Sequence, residues 1–437
     1  MNVYDSAKIA ELMKPFGFSI TEEVSDANMV VLNTCHIREK ASEKVYSELG
    51  KINILKEEKK QAGTNMVIVV AGCTAQAEGA EIFKRAPYVD IVVGPQSYYN
   101  LPELVAQVVR TGKFAINLDF PTIAKFDNLP ESTDSRASAF LSIQEGCNEF
   151  CKFCVVPYTR GAEFSRPVAD VYREALHLAN RGAIEINLLG QNVNAYHGLD
   201  HDNTESSLAK LIRYLSKIDQ IKRLRYTTSH PHNMTDELIE LFGSEPKLMP
   251  YLHLPVQSGS SKILKAMNRK HKREDYLRII EKIKSANSDM ALSSDFIVGY
   301  PGETEEDFSE TMSIVREVGY AQAYSFKYSK RPGTPASIMD NQVDEEVKAE
   351  RLARLQALIF SNQEEFNKKF VGRKIEVLFD RTGKHKGQIL GRTPHMQSIY
   401  IDNATEYFGQ LMEVEVVSST FNNLHGRLIR DSKRDVA

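Results

Sequence analysis

Gly146-Cys147-Asn148-Glu149-Phe150-Cys151-Lys152-Phe153-Cys154 gathers three of the chain's five cysteines into eight residues. The C-x3-C-x2-C spacing lets three thiolates converge on one inorganic centre. Iron–sulfur clusters are held by Cys thiolates, and a four-iron cube normally takes four of them. With only three local ligands the fourth iron is open, and an open position separates a reactive centre from a structural one. Three buried apolar cysteines do not suit the run, because Asn148, Glu149 and Lys152 separate the thiols without core periodicity. A structural zinc site remains the competing reading. It usually shows paired C-x2-C units or histidines at fixed spacing, and no such partner follows Cys154 within the next forty residues.

The 437 residues suggest two to four domains with room for proper cores. A hydrophobic content of 42% and a charged content of 26% are ordinary for a globular chain. An odd number of cysteines and no apolar signal segment argue against a disulfide framework and for a reducing, cytoplasmic setting. No run approaches the eighteen apolar residues of a membrane span. The net charge of −3 does not announce nucleic acid, so any such contact is a local patch.

An amphipathic helix is expected from about Ser6 to Lys14, then strand-like runs at Met29 to Thr34, Met66 to Ala71 and Asp90 to Val93. Helical patterns at Ile37 to Lys60, Ala77 to Arg85 and Leu101 to Arg110 alternate with them. Such alternation predicts a doubly wound parallel α/β domain over residues 1–115. Two of the strands end in cysteine, Cys35 and Cys73. Ligands gather beyond the carboxyl ends of strands in open α/β sheets. Both are therefore candidate ligands, although each taken alone is more often a packed core residue. Residues 116–136, with Pro121, Pro130, Glu131 and Ser132 to Ser135, read as a polar linker.

Residues 137–365 give six strand patterns: Ala139 to Gln144, Glu185 to Leu189, Arg223 to Thr228, Tyr251 to Val256, Ala291 to Val298 and Tyr324 to Tyr328. Helical patterns separate them, which predicts a partial (β/α)6 barrel with its chemistry at the C-terminal strand ends. Cys147 follows the first strand, Gln191 the second, Ser229-His230-Pro231 the third, Gln257-Ser258-Gly259 the fourth, and Gly299-Tyr300-Pro301-Gly302-Glu303 the fifth. Gln191 and Gln257 equally suit the satisfaction of backbone groups at strand ends, and His230 or His232 a turn or the surface. The run from Asp295 to Glu303 is more specific, because Gly299 and Gly302 permit close approach of a ligand. A long charged helix, Asp344 to Phe370, reads as a solvated connection out of the barrel.

Beyond Gly372 the period changes to two, with short strands at Ile375 to Phe379, Ile389 to Arg392, Ile399 to Ile401, Leu411 to Val417 and Leu424 to Ile429. This predicts a small β-barrel over 366–432. From Phe366 onward twelve Lys/Arg stand against eight Asp/Glu, a surplus of four, so the rest of the chain carries −7. Arg373, Lys374, Lys384, Lys386, Arg392, Arg427 and Arg430 could meet a phosphate backbone, although mixed-sign surfaces are also normal.

The cysteine spacing, with Phe153 just before the last Cys, resembles the radical S-adenosylmethionine (SAM) superfamily. The continuation Val155-Val156-Pro157-Tyr158-Thr159-Arg160-Gly161, then Ser165-Arg166-Pro167, is narrower and resembles the methylthiotransferases. Asp295 to Glu303 is similar to the superfamily's fifth-strand motif, and His253 to Ser260 to the tRNA-modifying branch. The resemblance implies α/β architecture in three parts: an N-terminal doubly wound domain, a radical SAM barrel and a C-terminal TRAM β-barrel that binds RNA. It implies a 4Fe-4S cluster on Cys147, Cys151 and Cys154 that reduces SAM, and SAM contacts from Phe153, Gln191, Gln257, Asp295 and Gly299. A second 4Fe-4S cluster on Cys35, in Asn33-Thr34-Cys35-His36-Ile37-Arg38, and Cys73 is implied to deliver sulfur. The family's third N-terminal cysteine lies in a Gly-Cys-x-Met-Asn motif whose Met matches Met1, so that cysteine and the strand before it are expected upstream of this sequence. The implied reaction is methylthiolation of C2 of N6-isopentenyladenosine beside the anticodon of tRNA, with an external electron donor, by a monomer. Threonylcarbamoyl-adenosine tRNA, a ribosomal protein and noncatalytic iron–sulfur RNA binding are the alternatives.

Overall fold

Val30-Val31-Leu32 and Val67-Ile68-Val69-Val70 are apolar without alternation, the pattern of strands covered on both faces. The computed structural model, which describes residues 1–35, 39–120, 125–132 and 135–429, buries Ile68, Val69 and Val70 and leaves Val30, Val31 and Leu32, on an edge strand, half-buried. His36, Ile37, Arg38, Pro121 and Arg430, on which parts of the sequence reading fall, lie outside the described residues. The chain forms two units. One comprises Met1–Thr133, Gln144–Arg166 and Ser329–Ser337; the other comprises Asp134–Ile143, Pro167–Tyr328 and Ile338–Ala437.

In the first unit β1 (Met29–Thr34), β2 (Val67–Gly72), β3 (Ile91–Val93) and β4 (Ala115–Asn117) form a parallel sheet in that order. Helices Asn2–Met13 and Leu101–Thr111 close one apolar layer with Val69, Ala71, Ile91 and Val93. Helices Glu39–Gln61 and Glu81–Arg85 close the other with Ile68, Val70 and Val92. Each buried Val or Ile contributes roughly 1.5–3 kcal/mol, so two layers make an ample core for this unit. The expected strands fall within a residue or so of β1–β3. The fourth strand lies at the start of the stretch read as a linker, where a three-residue run is too short to show periodicity. Later in that stretch Lys125 is fully buried. Residues 144–166, which the strand pattern assigned to the barrel, belong to the first unit. There β6 (Gln144–Glu145) pairs antiparallel with β7 (Phe164–Ser165).

In the second unit β5 (Ser138–Ser142), β8 (Glu185–Leu189) and β9 (Arg223–Tyr226) form one parallel sheet. A second contains β10 (Tyr251–His253), β11 (Ala291–Val298) and β12 (Gln322–Lys327). The six expected barrel strands are thus present as two sheets of three. Between them the ladder thins to a single bridge, Leu224 to Leu248. Pro250 and Pro255 bracket β10, and a proline has no N–H to give a ladder. The helices around them share one continuous apolar core with the strands.

Helix Glu345–Lys368 leads to β13 (Lys374–Thr382), β14 (Ile389–Arg392), β15 (Ser398–Ile401), β16 (Leu411–Ser419) and β17 (Leu424–Leu428). These close into a barrel in the order β13-β14-β15-β17-β16, filled by Val377, Phe379, Ile389, Ile399, Val414 and Leu424. Two buried arginines of β9 fasten barrel to barrel. Arg225 donates to the carbonyls of Thr393 and Pro394, each at 2.7 Å, and Arg223 to those of Arg392 at 2.9 Å and Glu376 at 2.7 Å.

Candidate functional site: a three-cysteine loop and two cysteine strand ends

The antiparallel pair β6–β7 holds residues 146–163 as a loop closed at its base, and that loop carries all three clustered cysteines. Gly146 opens it at φ +79°, and a Cβ there would stand 2.1 Å from the carbonyl oxygen of Ala162. Only glycine meets both demands. The Cys147 amide donates to the Gly161 carbonyl at 3.3 Å, and the Cys154 amide to the Cys151 carbonyl at 2.9 Å. Phe150, at φ 46°, turns the chain between the first two cysteines, and Pro157 stands in the first turn of helix Val156–Arg160. Gly146→Ala should therefore cost about 1–3 kcal/mol, seen as a lower urea midpoint; an unchanged midpoint would mean the loop base yields freely.

Cys151 is buried, while Cys147, Phe153 and Cys154 are half-buried. Burial pushes the Cys147 thiol up to about 11, helped by the neighbouring charge of Cys151. None of the five cysteines is disulfide-bonded. Among the described residues no three His, Cys, Asp or Glu side chains meet closely enough to hold a metal ion. The donor chemistry nevertheless fits an iron–sulfur cluster. Three sulfurs sit on one short loop, and thiolates are the ligands such clusters take.

Cys35 and Cys73 follow β1 and β2 directly. Thr34 and Gly72 are register partners, so the two cysteines leave adjacent strands at the same level, as the strand-end argument expected. A cavity of about 300 Å³ opens there, lined by Asn33, Thr34, Cys35, Lys44 and Glu48. Cys73 itself is buried at the start of helix Cys73–Glu78.

Sequence reasoning missed the group beneath this site. Asp5, Lys125, Glu145 and Arg160 are 0–3% exposed and form one ion network. Lys125 Nζ lies 2.8 Å from Asp5 and 3.2 Å from Glu145; Arg160 Nη2 lies 2.9 Å from Asp5, and its Nη1 donates to Glu145. Burial alone would raise the Asp5 carboxyl, but Lys125 and Arg160 outweigh it and hold that group below its ordinary value. Glu145 and Arg160 flank the cysteine loop, so their pairing ties its two ends to helix Asn2–Met13. The available signal was Asp5 in line with Ile9 and Met13, a carboxylate inside an apolar helical stripe.

The remaining candidates lie in the second unit. Gln257, at φ 77°, bridges to Phe296, donates its amide to the Asp295 carbonyl at 3.0 Å and accepts from the Ile297 amide at 2.9 Å. Asp295 is half-buried, with His253 Nε2 at 3.5 Å. Gly299, at φ +70°, begins the turn directly after β11. Gln191 lies at the bend after β8, beside buried Asn192. Of the two histidines that suited a turn or the surface, His230 is 4% exposed and burial pushes its pKa down, so it is neutral at pH 7.

Three family models match the chain. The radical SAM superfamily model covers residues 141–315, the TRAM domain model 368–429, and a model described as "Uncharacterized protein family UPF0004" 1–94. A relative from Rickettsia bellii, named tRNA-2-methylthio-N(6)-dimethylallyladenosine synthase, is 59% identical over 433 residues, 98% of this chain and 97% of its own length. A relative of the same name from Rickettsia canadensis is 59% identical over 431 residues, with 98% and 97% covered. Among solved structures, the radical SAM methyltransferase TsrM from Kitasatospora setae, with cobalamin and a [4Fe-4S] cluster bound, matches at TM-score 0.56 and 14% identity. It covers 77% of this chain and 74% of that one. The cobalamin-dependent radical SAM enzyme OxsB matches at TM-score 0.52 and 12% identity, covering 82% of this chain and 53% of that one; both likenesses concern the fold alone. With near-complete coverage at this identity, the chain belongs to the radical SAM methylthiotransferase family whose members are named tRNA-2-methylthio-N(6)-dimethylallyladenosine synthase.

Proposed function

We propose that this enzyme places a methylthio group on C2 of N6-isopentenyladenosine beside the anticodon of tRNA. The observation that carries the proposal is 59% identity over 98% of the chain to relatives named for that reaction. Cys147, Cys151 and Cys154 would hold a 4Fe-4S cluster. Bound there with SAM, the cluster supplies the one-electron chemistry that opens an unactivated C–H bond. The chain's own part is to place and shield. Gly146 and Phe150 shape the loop, and the Glu145–Arg160 pair closes its base.

Phe153, Gln191, Gln257, Asp295 and Gly299 are the proposed SAM contacts. Asp295 and Ile297, the half-buried residues of β11, share one face of the strand and offer an acceptor and an apolar surface side by side. Cys35 and Cys73 are the proposed protein ligands of a second cluster at the strand-end cavity. The β13–β17 barrel is proposed to meet the tRNA anticodon stem-loop through Arg373, Lys374, Lys384, Lys386, Arg392 and Arg427, mainly by charge. A loop adenine can be splayed from its stack and read in a pocket. The functional parts proposed are 1–115, a connection over 116–136, 137–365 and 366–432. An external electron donor, a monomeric state and the cytoplasm complete the proposal. Among the described residues no helix is long and apolar enough to cross a membrane.

The test is nucleoside mass spectrometry on tRNA from cells that lack this activity and carry the gene. Appearance of 2-methylthio-isopentenyladenosine is expected. Isopentenyladenosine left unchanged by an expressed, folded, iron-loaded protein would overturn the substrate.

A further inference from the structure

The turn after β11 is held by charge from a distant helix. The Gly299 amide donates to both carboxylate oxygens of Glu303, at 3.0 and 3.1 Å. Arg351, on helix Glu345–Lys368, donates to the same carboxylate at 2.9 Å and to the Glu303 carbonyl at 3.2 Å. The Glu303 and Arg351 side chains are 2% and 6% exposed. The stem of Lys348, one turn earlier on that helix, packs where a Gly299 Cβ would stand, 2.3 Å away. Tyr300 Oη donates to the Ala266 carbonyl at 3.2 Å, so the turn is fixed on both sides.

A buried ion pair is poor value as a stabiliser. Apolar side chains of similar volume serve as well or better, because both charges lose their hydration. What the pair does supply is direction: the carboxylate fixes one backbone amide, and the guanidinium fixes the carboxylate. Gly299 takes its left-handed backbone without strain but is equally free to take others, so its partners select this one. We infer that Arg351 is a positioning residue for SAM. Acting through Glu303, it holds the Gly299 turn in the shape that receives the cofactor's adenosyl part. This rests on the reading of Asp295 and Gly299 as SAM contacts.

The test uses the full-length, iron-loaded enzyme and variants Arg351→Met, Arg351→Lys and Glu303→Gln. Removing one partner of a buried charge pair should raise KM for SAM about tenfold or more, with kcat, iron content and affinity for an anticodon stem-loop RNA little changed. Arg351→Lys, which keeps the charge but not the fork, should recover part of the loss. Hydrogen exchange of wild-type enzyme with and without SAM separates this proposal from the reading beneath it. Protection of residues 297–303 by SAM together with a raised KM in Arg351→Met supports the proposal. Protection with an unchanged KM and only a lower melting temperature overturns it and leaves the SAM contacts standing. No protection of 297–303 removes the SAM reading and the proposal with it. Should Arg351→Met fail to fold, Arg351→Lys and Glu303→Gln carry the same comparison.

Discussion

Arg160→Met is expected to lower unfolding free energy by about 3–5 kcal/mol, the usual consequence of leaving a buried charge without its partner. The four groups Asp5, Lys125, Glu145 and Arg160 balance, two of each sign, at no more than 3% exposure. Without Arg160 two carboxylates share one lysine, and no solvent reaches them. A domain is stable by only some 5–15 kcal/mol, so the loss is a large fraction of the whole. Guanidinium unfolding, with limited proteolysis of residues 1–166 to locate the opening, measures it. Lys374→Met on the exposed barrel should change stability by less than about 0.5 kcal/mol. Equal midpoints for Arg160→Met and wild type would remove the network from the account of this unit.

The same network sets an acid limit. The Asp5 carboxyl lies below its ordinary value, so its contribution is complete above an unfolded pKa of about 3.9. It fades as pH falls through the lower folded value, where the native carboxylate takes up its proton. Asp5→Asn should flatten the curve of stability against pH below about pH 4 and destabilise at neutral pH, because Arg160 then lacks one anion.

The second large effect concerns the cysteines singly. Cys147→Ser, Cys151→Ser or Cys154→Ser should each bring reductive cleavage of SAM to background and remove about four iron atoms per chain. Cys73→Ser should also lose iron and abolish methylthiolated nucleoside, while 5′-deoxyadenosine still forms when SAM and reductant are supplied. This division follows from the placement of three thiols on the β6–β7 loop and two at the ends of β1 and β2. Full SAM cleavage by Cys151→Ser would sink the assignment of the loop. Loss of SAM cleavage in Cys73→Ser would show that the two sets do not act separately.

Local features were legible in the sequence because their information is local. The cysteine loop announces its chemistry within eight residues. Period-two runs marked the small C-terminal barrel, and the alternation of strand-like and helical runs marked the parallel sheet. The short strand Ala115–Asn117 was not legible, since three residues carry no period. Nor was the break between the two three-stranded sheets, which depends on how Pro250 and Pro255 bracket β10. Asp5 stood just before the helix expected from about Ser6, and Lys125 within a polar connection.

By itself the sequence determined which chemistry this chain carries, because thiols at fixed spacing and glycines before a turn are chemical statements wherever the chain goes. Tertiary structure alone decided which distant groups meet. The register of Thr34 on Gly72 brings Cys35 and Cys73 level, the burial of residues 5, 125, 145 and 160 joins four charges, and helix Glu345–Lys368 sets Arg351 on Glu303. Beyond the place of Asp5 in an apolar stripe, those pairings leave no local trace: a charged side chain does not show in sequence which distant partner it meets. Only folding, by removing the water, makes the partner obligatory.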